Sequence, residues 1–283
     1  MFDIQSHQFV SLADIEAEIA RVVWRDPSIV AEAAKYHFSA GGSRTRARMG
    51  LEAALGLGLS GQTALACALA PELLHNASLV HDDLQDGDKM RRQKPSVWAQ
   101  YGKDVAISTG DLLISAAYRT IAMHPQPAPA LCAMHDAIAT TISGQARDCS
   151  TDTATPDDYE TIAADKSGPL LALPVQLALF AAGLGHDDDA IRAGRAIAIA
   201  YQTLDDMLDR VADQIHGVKN ICLSLEATGL SPGVAARAAC ARAGASLDAA
   251  RRHIGALPRG AGAPFLKLAT RLDIQLKEFS HAA

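Results

Sequence analysis

HNASLVHDDLQDGD, residues 75–88, joins an apolar helical run to three acids, Asp82, Asp83 and Asp86. A spacing of four puts Asp82 and Asp86 on one helix face, about a turn apart. AIAIAYQTLDDMLDRVAD, residues 196–213, repeats the arrangement with Asp205, Asp206 and Asp209. Carboxylates this close repel one another, so each array needs cations or water around it. Magnesium suits it, because that ion prefers hard oxygen donors and takes one or two carboxylates with waters and phosphate oxygens. Taken alone, either trio reads equally well as an acidic, solvated helix end. Two trios of identical spacing, both closing apolar runs, favour metal ligands. Calcium is disfavoured, since neither stretch has the twelve-residue loop of alternating oxygen ligands.

Outward from the trios, apolar residues recur at helical spacing along most of the chain, broken by short turns rich in Gly, Pro or Asp, without strand alternation. The pattern predicts helices over 11–23, 27–38, 45–57, 60–85, 104–123, 128–150, 156–183, 188–212, 232–254 and 262–279. It predicts polar connections at 86–103, 124–129 and 213–222. Ser60, Thr155 with Pro156, and Ser231 with Pro232 read as helix starts. Pro169 and Pro174 each delete a helix hydrogen bond and predict a bend. No repeat or linker divides residues 1–283, so a single all-α domain is expected.

Composition narrows the function. The chain is 49% apolar, enough for a sizeable core, and its net charge of −6 comes without a basic tract, which argues against nucleic-acid binding. Cys67, Cys132, Cys149, Cys222 and Cys240 lie far apart without metal-ligand spacing and read as reduced thiols of a cytoplasmic protein. The first residues lack the pattern of a signal peptide, and no apolar stretch approaches the roughly 18 to 20 residues of a membrane span. No stable membrane insertion is expected.

LVHDDLQDGDKMRRQKPSVW at 79–98 resembles the first aspartate-rich motif of the trans-isoprenyl diphosphate synthase (polyprenyl synthetase) family, and YQTLDDMLD at 201–209 resembles the second. GGSRTR at 41–46, ELLH at 72–75, STGDLLI at 108–114, GQARD at 144–148 and KSG at 166–168 follow the family's order, so the resemblance covers about residues 35 to 220. It implies a single-domain bundle of about ten or more helices around a deep central apolar cavity, with the aspartate motifs facing each other across its mouth. It further implies about three magnesium ions held by Asp82, Asp83, Asp86, Asp205, Asp206 and Asp209 against an allylic diphosphate, with Lys166 and Gln202 also in the catalytic set. Ionisation would leave an allylic cation, attacked by isopentenyl diphosphate inside a dry cavity that spares it from water. Lys166 and Gln202 are the residues implied for the allylic diphosphate and Arg91 for a diphosphate, with Ser167 and Lys219 also implied in substrate binding. Arg92, His75, Arg46 and Arg44 are those implied for the isopentenyl diphosphate side, where guanidinium groups suit phosphate oxygens. A homodimer is implied as well.

Two departures qualify that resemblance. Ser43 and Ala47 stand where the family's glycine motif has Lys and Pro, and one lost charge-assisted contact is worth roughly 1.5–3 kcal/mol. The loop after Asp209 is shortened to RVADQIHGVKNICLSLEATG, in which Lys219 stands in for a family lysine. A lyase or cyclase acting on one prenyl diphosphate, and a non-catalytic partner subunit, therefore remain as alternatives. Ala77 and Ser78, small where the family places bulk to floor the cavity, point to a product beyond farnesyl, with geranylgeranyl diphosphate first. Tyr118 or Met123 is the alternative floor.

Overall fold

The computed structural model describes residues 10–25, 27–150, 155–185 and 187–282, so the first nine residues, part of the stretch read above for a signal peptide, lie outside the described residues. Among the described residues are twelve α-helices and one two-stranded hairpin, which bears out the all-α expectation. None of the helices is long and apolar enough to cross a membrane. The chain divides into two compact units, one of residues up to 135 with 173–185 and 259–261, the other of 136–172, 186–258 and 262 onward.

The first unit is built on α4 (Gly61–Gln85), against which α3 (Thr45–Gly56) and α6 (Lys103–Ile121) pack. Ser60 caps α4 as its sequence predicts, its Oγ accepting from the Thr63 amide at 3.3 Å. Pro71 lies inside α4 and has no N–H to offer the Cys67 carbonyl one turn earlier. Gly50 of α3 lies against that same carbonyl, where a Cβ would collide with it. Gly110 of α6 likewise lies against His81, so two glycines set how closely the neighbours approach the acidic helix. The helices α1 (Leu12–Val23) and α2 (Ile29–Ser39) complete the N-terminal part.

The second unit is organised by α9 (Asp187–His216), which packs on α11 (Pro232–Ala256) and α12 (Ala263–Ala282). Ala235, Ala239, Ala243, Leu247, Ala250 and Ile254 form the buried stripe of α11, and its small members allow close approach. Gly168 of α8 (Pro156–Ala181) lies against the Arg195 backbone, and Gly194 lies against Ala172 and the Gly168 carbonyl. The predicted start of α8 is a capping box, with Thr155 Oγ1 accepting from the Asp158 amide at 3.2 Å and Asp158 accepting from the Thr155 amide at 3.3 Å. At α11 Pro232 takes the first position, but Ser231 makes no side-chain cap.

Several boundaries differ from the sequence reading. The connection 86–103 contains a hairpin, β1 (Met90–Arg91) with β2 (Lys94–Pro95), and a short α5 (Val97–Tyr101). The helix α7 (Pro127–Ser150) starts inside the proline-rich turn, because prolines fit a first turn whose amides have no helical partner. The run of α8 continues through Pro169 and Pro174, as expected over 156–183, and ends at Ala181. Most consequentially, α9 continues past 212 to His216, and α10 (Ile221–Ala227) occupies part of the expected loop. Gly217, at φ 68°, closes α9 with a Val218 amide to Asp213 carbonyl bond of 2.9 Å.

Candidate functional site

In the first unit, α4 presents its acids at its C-terminal end. Asp82 is half-buried and Asp86 exposed, but Asp83 is only 1% exposed. Both Asp83 oxygens accept from Arg91: Nε lies 2.8 Å from Oδ1 and from Oδ2, and Nη2 lies 2.6 Å from Oδ1. Burial raises the Asp83 pKa and Arg91 opposes the rise. Of the arginines implied for substrate, Arg91 therefore anchors the hairpin to the helix. Arg92 and Gln93, at φ 50° and 65°, form its tight turn, and Arg92 Nη1 donates to the Gly41 carbonyl. A side chain at Gly42 would strike the Arg92 guanidinium, so the glycine pair makes room for that arginine.

These cations act on His75, which is half-buried. Its pKa lies well below the ordinary imidazole range, first because of burial and then because of Arg46, Arg92, Arg91 and His37. The Arg92 pKa is also lowered, by burial and then by Arg91 and Arg44. Such mutual repulsion marks a place where an anion is favoured, and His75 offers it a neutral donor. Arg44 does not join its neighbours. Only 7% exposed, it donates to Glu16 at 2.6 Å and to the Gly41 and Phe38 carbonyls, and lies 3.9 Å from Glu72. Glu72 in turn accepts from the Ala47 amide at 3.2 Å and from Asn76 at 3.1 Å, and Asn76 meets His37 at 3.0 Å. Because the Asn76 amide nitrogen is committed to Glu72, His37 Nε2 carries the proton, and burial holds the His37 pKa at about 4. Arg44 thus belongs to a buried network beneath the arginines that face the anion site.

In the second unit, two lysines converge on one carboxylate. Asp148, at the end of α7, accepts from Lys166 at 2.8 Å and from Lys219 at 3.4 Å. Gly144, one turn before, lies against the Lys166 backbone and lets α7 and α8 come together there. Ser167 follows on α8, half-buried. Asp165 is held by Arg147 and Arg195, which brace the same stretch. On α9, burial pushes the Asp205 carboxyl up to about 6, with Asp206 and Asp209 adding to the shift. Asp209 is exposed. Asp206, 3% exposed, accepts from the Tyr159 hydroxyl, from Gln202 at 3.0 Å and from the Ile221 amide at 2.6 Å. Gln202 is thereby engaged with Asp206.

The donor set fits magnesium, being carboxylate oxygen without His or Cys. Among the described residues no three ligating side chains close on one point, which suits an ion that keeps waters and accepts phosphate oxygens. The raised Asp205 pKa marks a carboxylate charge left uncompensated, as a cation site requires. Asp83 and Asp206 are occupied by protein donors, whereas Asp82 and Asp205 are half-buried and Asp86 and Asp209 exposed, Asp82 with Asp86 and Asp205 with Asp209 each about one helical turn apart.

Asp148, Tyr159 and Asn220 were not singled out from sequence. Asp148 stands in GQARD, and Tyr159 precedes Lys166 by two helical turns on α8, a spacing that was available. Ala77 is buried at 1%, and Ser78 turns its hydroxyl to the His75 carbonyl at 2.9 Å. Tyr118 and Met123, 36% and 59% exposed, are not buried as a floor would be.

Residues 27–231 match the Polyprenyl synthetase family. The (2E,6E)-farnesyl diphosphate synthase of Mycobacterium bovis is 33% identical over 174 residues, 59% of this chain and 48% of that protein. The chain thus spans about half the length of such relatives. The geranylgeranyl diphosphate synthase of Cyanophora paradoxa is 32% identical over 204 residues, 67% of this chain and 68% of that protein. The fold matches that of the geranylgeranyl pyrophosphate synthetase of Geoglobus acetivorans with a TM-score of 0.83, at 23% identity over 92% of this chain and 96% of that one.

Proposed function

Because the chain belongs to the polyprenyl synthetase family, we propose that it is a magnesium-dependent prenyltransferase that condenses an allylic prenyl diphosphate with isopentenyl diphosphate. The observation that carries the reading is the crowding of Arg46, Arg91 and Arg92 around a neutral His75, a site made for an anion. Arg92 and Arg46 would hold the isopentenyl diphosphate, and His75 would donate to it without adding charge. Lys166 and Lys219, gathered by Asp148, would bind the allylic diphosphate. Asp82, Asp86, Asp205 and Asp209 would hold about three magnesium ions. When bound, the metal neutralises the charge developing on the departing diphosphate.

Farnesyl and geranylgeranyl diphosphate synthases among the relatives support chain elongation, and the small Ala77 and Ser78 favour geranylgeranyl diphosphate as product. A single functional domain over 1–283, a cytoplasmic location and assembly as a homodimer belong to the same proposal. Ser43 favours a second reading. Its hydroxyl meets Thr45 at 2.7 Å and leaves no cation at that position, as an enzyme acting on one prenyl diphosphate would allow.

Incubation with magnesium and dimethylallyl, geranyl or farnesyl diphosphate decides between them. Longer diphosphates formed only when isopentenyl diphosphate is present are expected. A hydrocarbon or alcohol formed without it would replace the synthase by a lyase or cyclase, and no product from any substrate would leave the chain as a partner subunit.

A further inference from the structure

The second unit contains a buried polar knot that the proposed reaction does not use. Tyr159 and the Ile221 amide both donate to Asp206 Oδ2, and Gln202 donates to Oδ1. Asn220, 2% exposed, donates to the Asp206 carbonyl at 2.6 Å and to Asp213 Oδ2 at 2.8 Å, while its own Oδ1 caps α10 at the Cys222 amide, 2.9 Å away. Asp206 and Asp213 stand two turns apart on one face of α9, so the knot ties the segment 217–221 back along that helix. Gly217 and Val218 at the start of the segment are exposed, and Ile221 at its end is buried. A cavity of about 280 Å³ lies against it, lined in part by Tyr159, Gly217, Val218, Leu223 and Ala227. At the centre of the tied segment is Lys219, which reaches Asp148 beside Lys166.

We propose that Asp206 is a positioning residue: with Tyr159 and Asn220 it pins the shortened segment after α9 so that Lys219 stands beside Lys166 to receive a diphosphate, and it does not ligate the metal. The inference rests on the reading of these lysines as diphosphate ligands. Its chemistry is direct. A carboxylate already accepting three protein hydrogen bonds from inside the protein has little left for an ion, whereas its half-buried and exposed neighbours Asp205 and Asp209 remain accessible. Lysine carries a flexible four-carbon stem, so fixing its backbone determines where its charge falls.

The test combines hydrogen exchange over 217–222 with calorimetric binding of inorganic pyrophosphate in magnesium, on the full chain and its Asn220→Ala, Tyr159→Phe, Asp206→Asn and Lys219→Ala variants. Asn220→Ala and Tyr159→Phe are expected to speed exchange in that segment while leaving α11 protected. Asn220→Ala should weaken pyrophosphate about tenfold, as loss of a charge-assisted contact does. Lys219→Ala should weaken it equally, and the double variant no further, because both remove the same contact. The magnesium concentration for half-maximal pyrophosphate binding should stay unchanged in Asp206→Asn. Unchanged exchange, additive losses, or a several-fold rise in the magnesium requirement of Asp206→Asn would each overturn the proposal. A wild-type chain that binds no pyrophosphate would instead overturn the functional reading and the role of Lys219 with it, while exchange still decides whether the segment is pinned.

Discussion

Asp83 and Asp206 each stand second in a trio whose spacing makes all three acids look alike, yet their surroundings separate them from their neighbours. Arg91 takes one and Tyr159, Gln202 and a backbone amide take the other, and the first and last acids of each trio are those proposed for metal. Replacement of Asp82 or Asp205 by Ala should lower turnover at least ~10³-fold, as loss of preorganised electrostatic stabilisation does, measured at saturating magnesium. A variant keeping most activity would sink the metal assignment. A pH effect follows from the pKa of about 6 at both Asp205 and Asp206, above the ordinary carboxylate value of about 4. The folded chain then binds protons more tightly than the unfolded one between those values, so without metal its stability rises as pH falls from about 6 toward 4. Thermal unfolding in a chelator should give a higher Tm at pH 5 than at pH 7. Magnesium, competing with the proton, should add more stability at pH 7.

At the scale of elements, glycines govern how closely the helices that carry the site approach one another. Gly194 lets α9 lie against Ala172 and Gly168 of α8, the helix that carries Lys166. Gly194→Val should therefore cost about 1–3 kcal/mol through overpacking, despite a residue better suited to a helix, as read by urea unfolding. Helix α4 bears Ala77, the proposed length determinant. Ala77→Phe, at a buried position one turn or more before Asp82, should shift products toward shorter chains, and an unchanged distribution by chromatography would place the floor elsewhere. The ends of these helices were readable where a side chain makes the cap, as at Ser60 and Thr155. The end of α9 was set too early although Gly217 marked it, because the polar run after Asp209 masked a face that continues to His216.

At the scale of the whole molecule, the all-helical class, both aspartate trios, and the motifs around Arg46, His75, Arg91, Arg92 and Lys166 were legible in the chain. Each depends on local spacing: apolar residues at 3.6-residue period and acids four apart identify a helix and its chemical end without reference to anything distant. What those side chains do was not legible. Arg44 and Arg46 are two residues apart and alike in type, yet one is sealed by Glu16, Glu72 and two carbonyls while the other lowers the His75 pKa. Asp148 gathers lysines 18 and 71 residues away, and Asn220 ties its segment to acids 14 and 7 residues back. The sequence by itself thus determined which residues carry charge and which helices bear them. Only the tertiary structure decided which charges are already spent on one another, because burial and pairing depend on neighbours that the fold, and not the chain order, brings within hydrogen-bond reach.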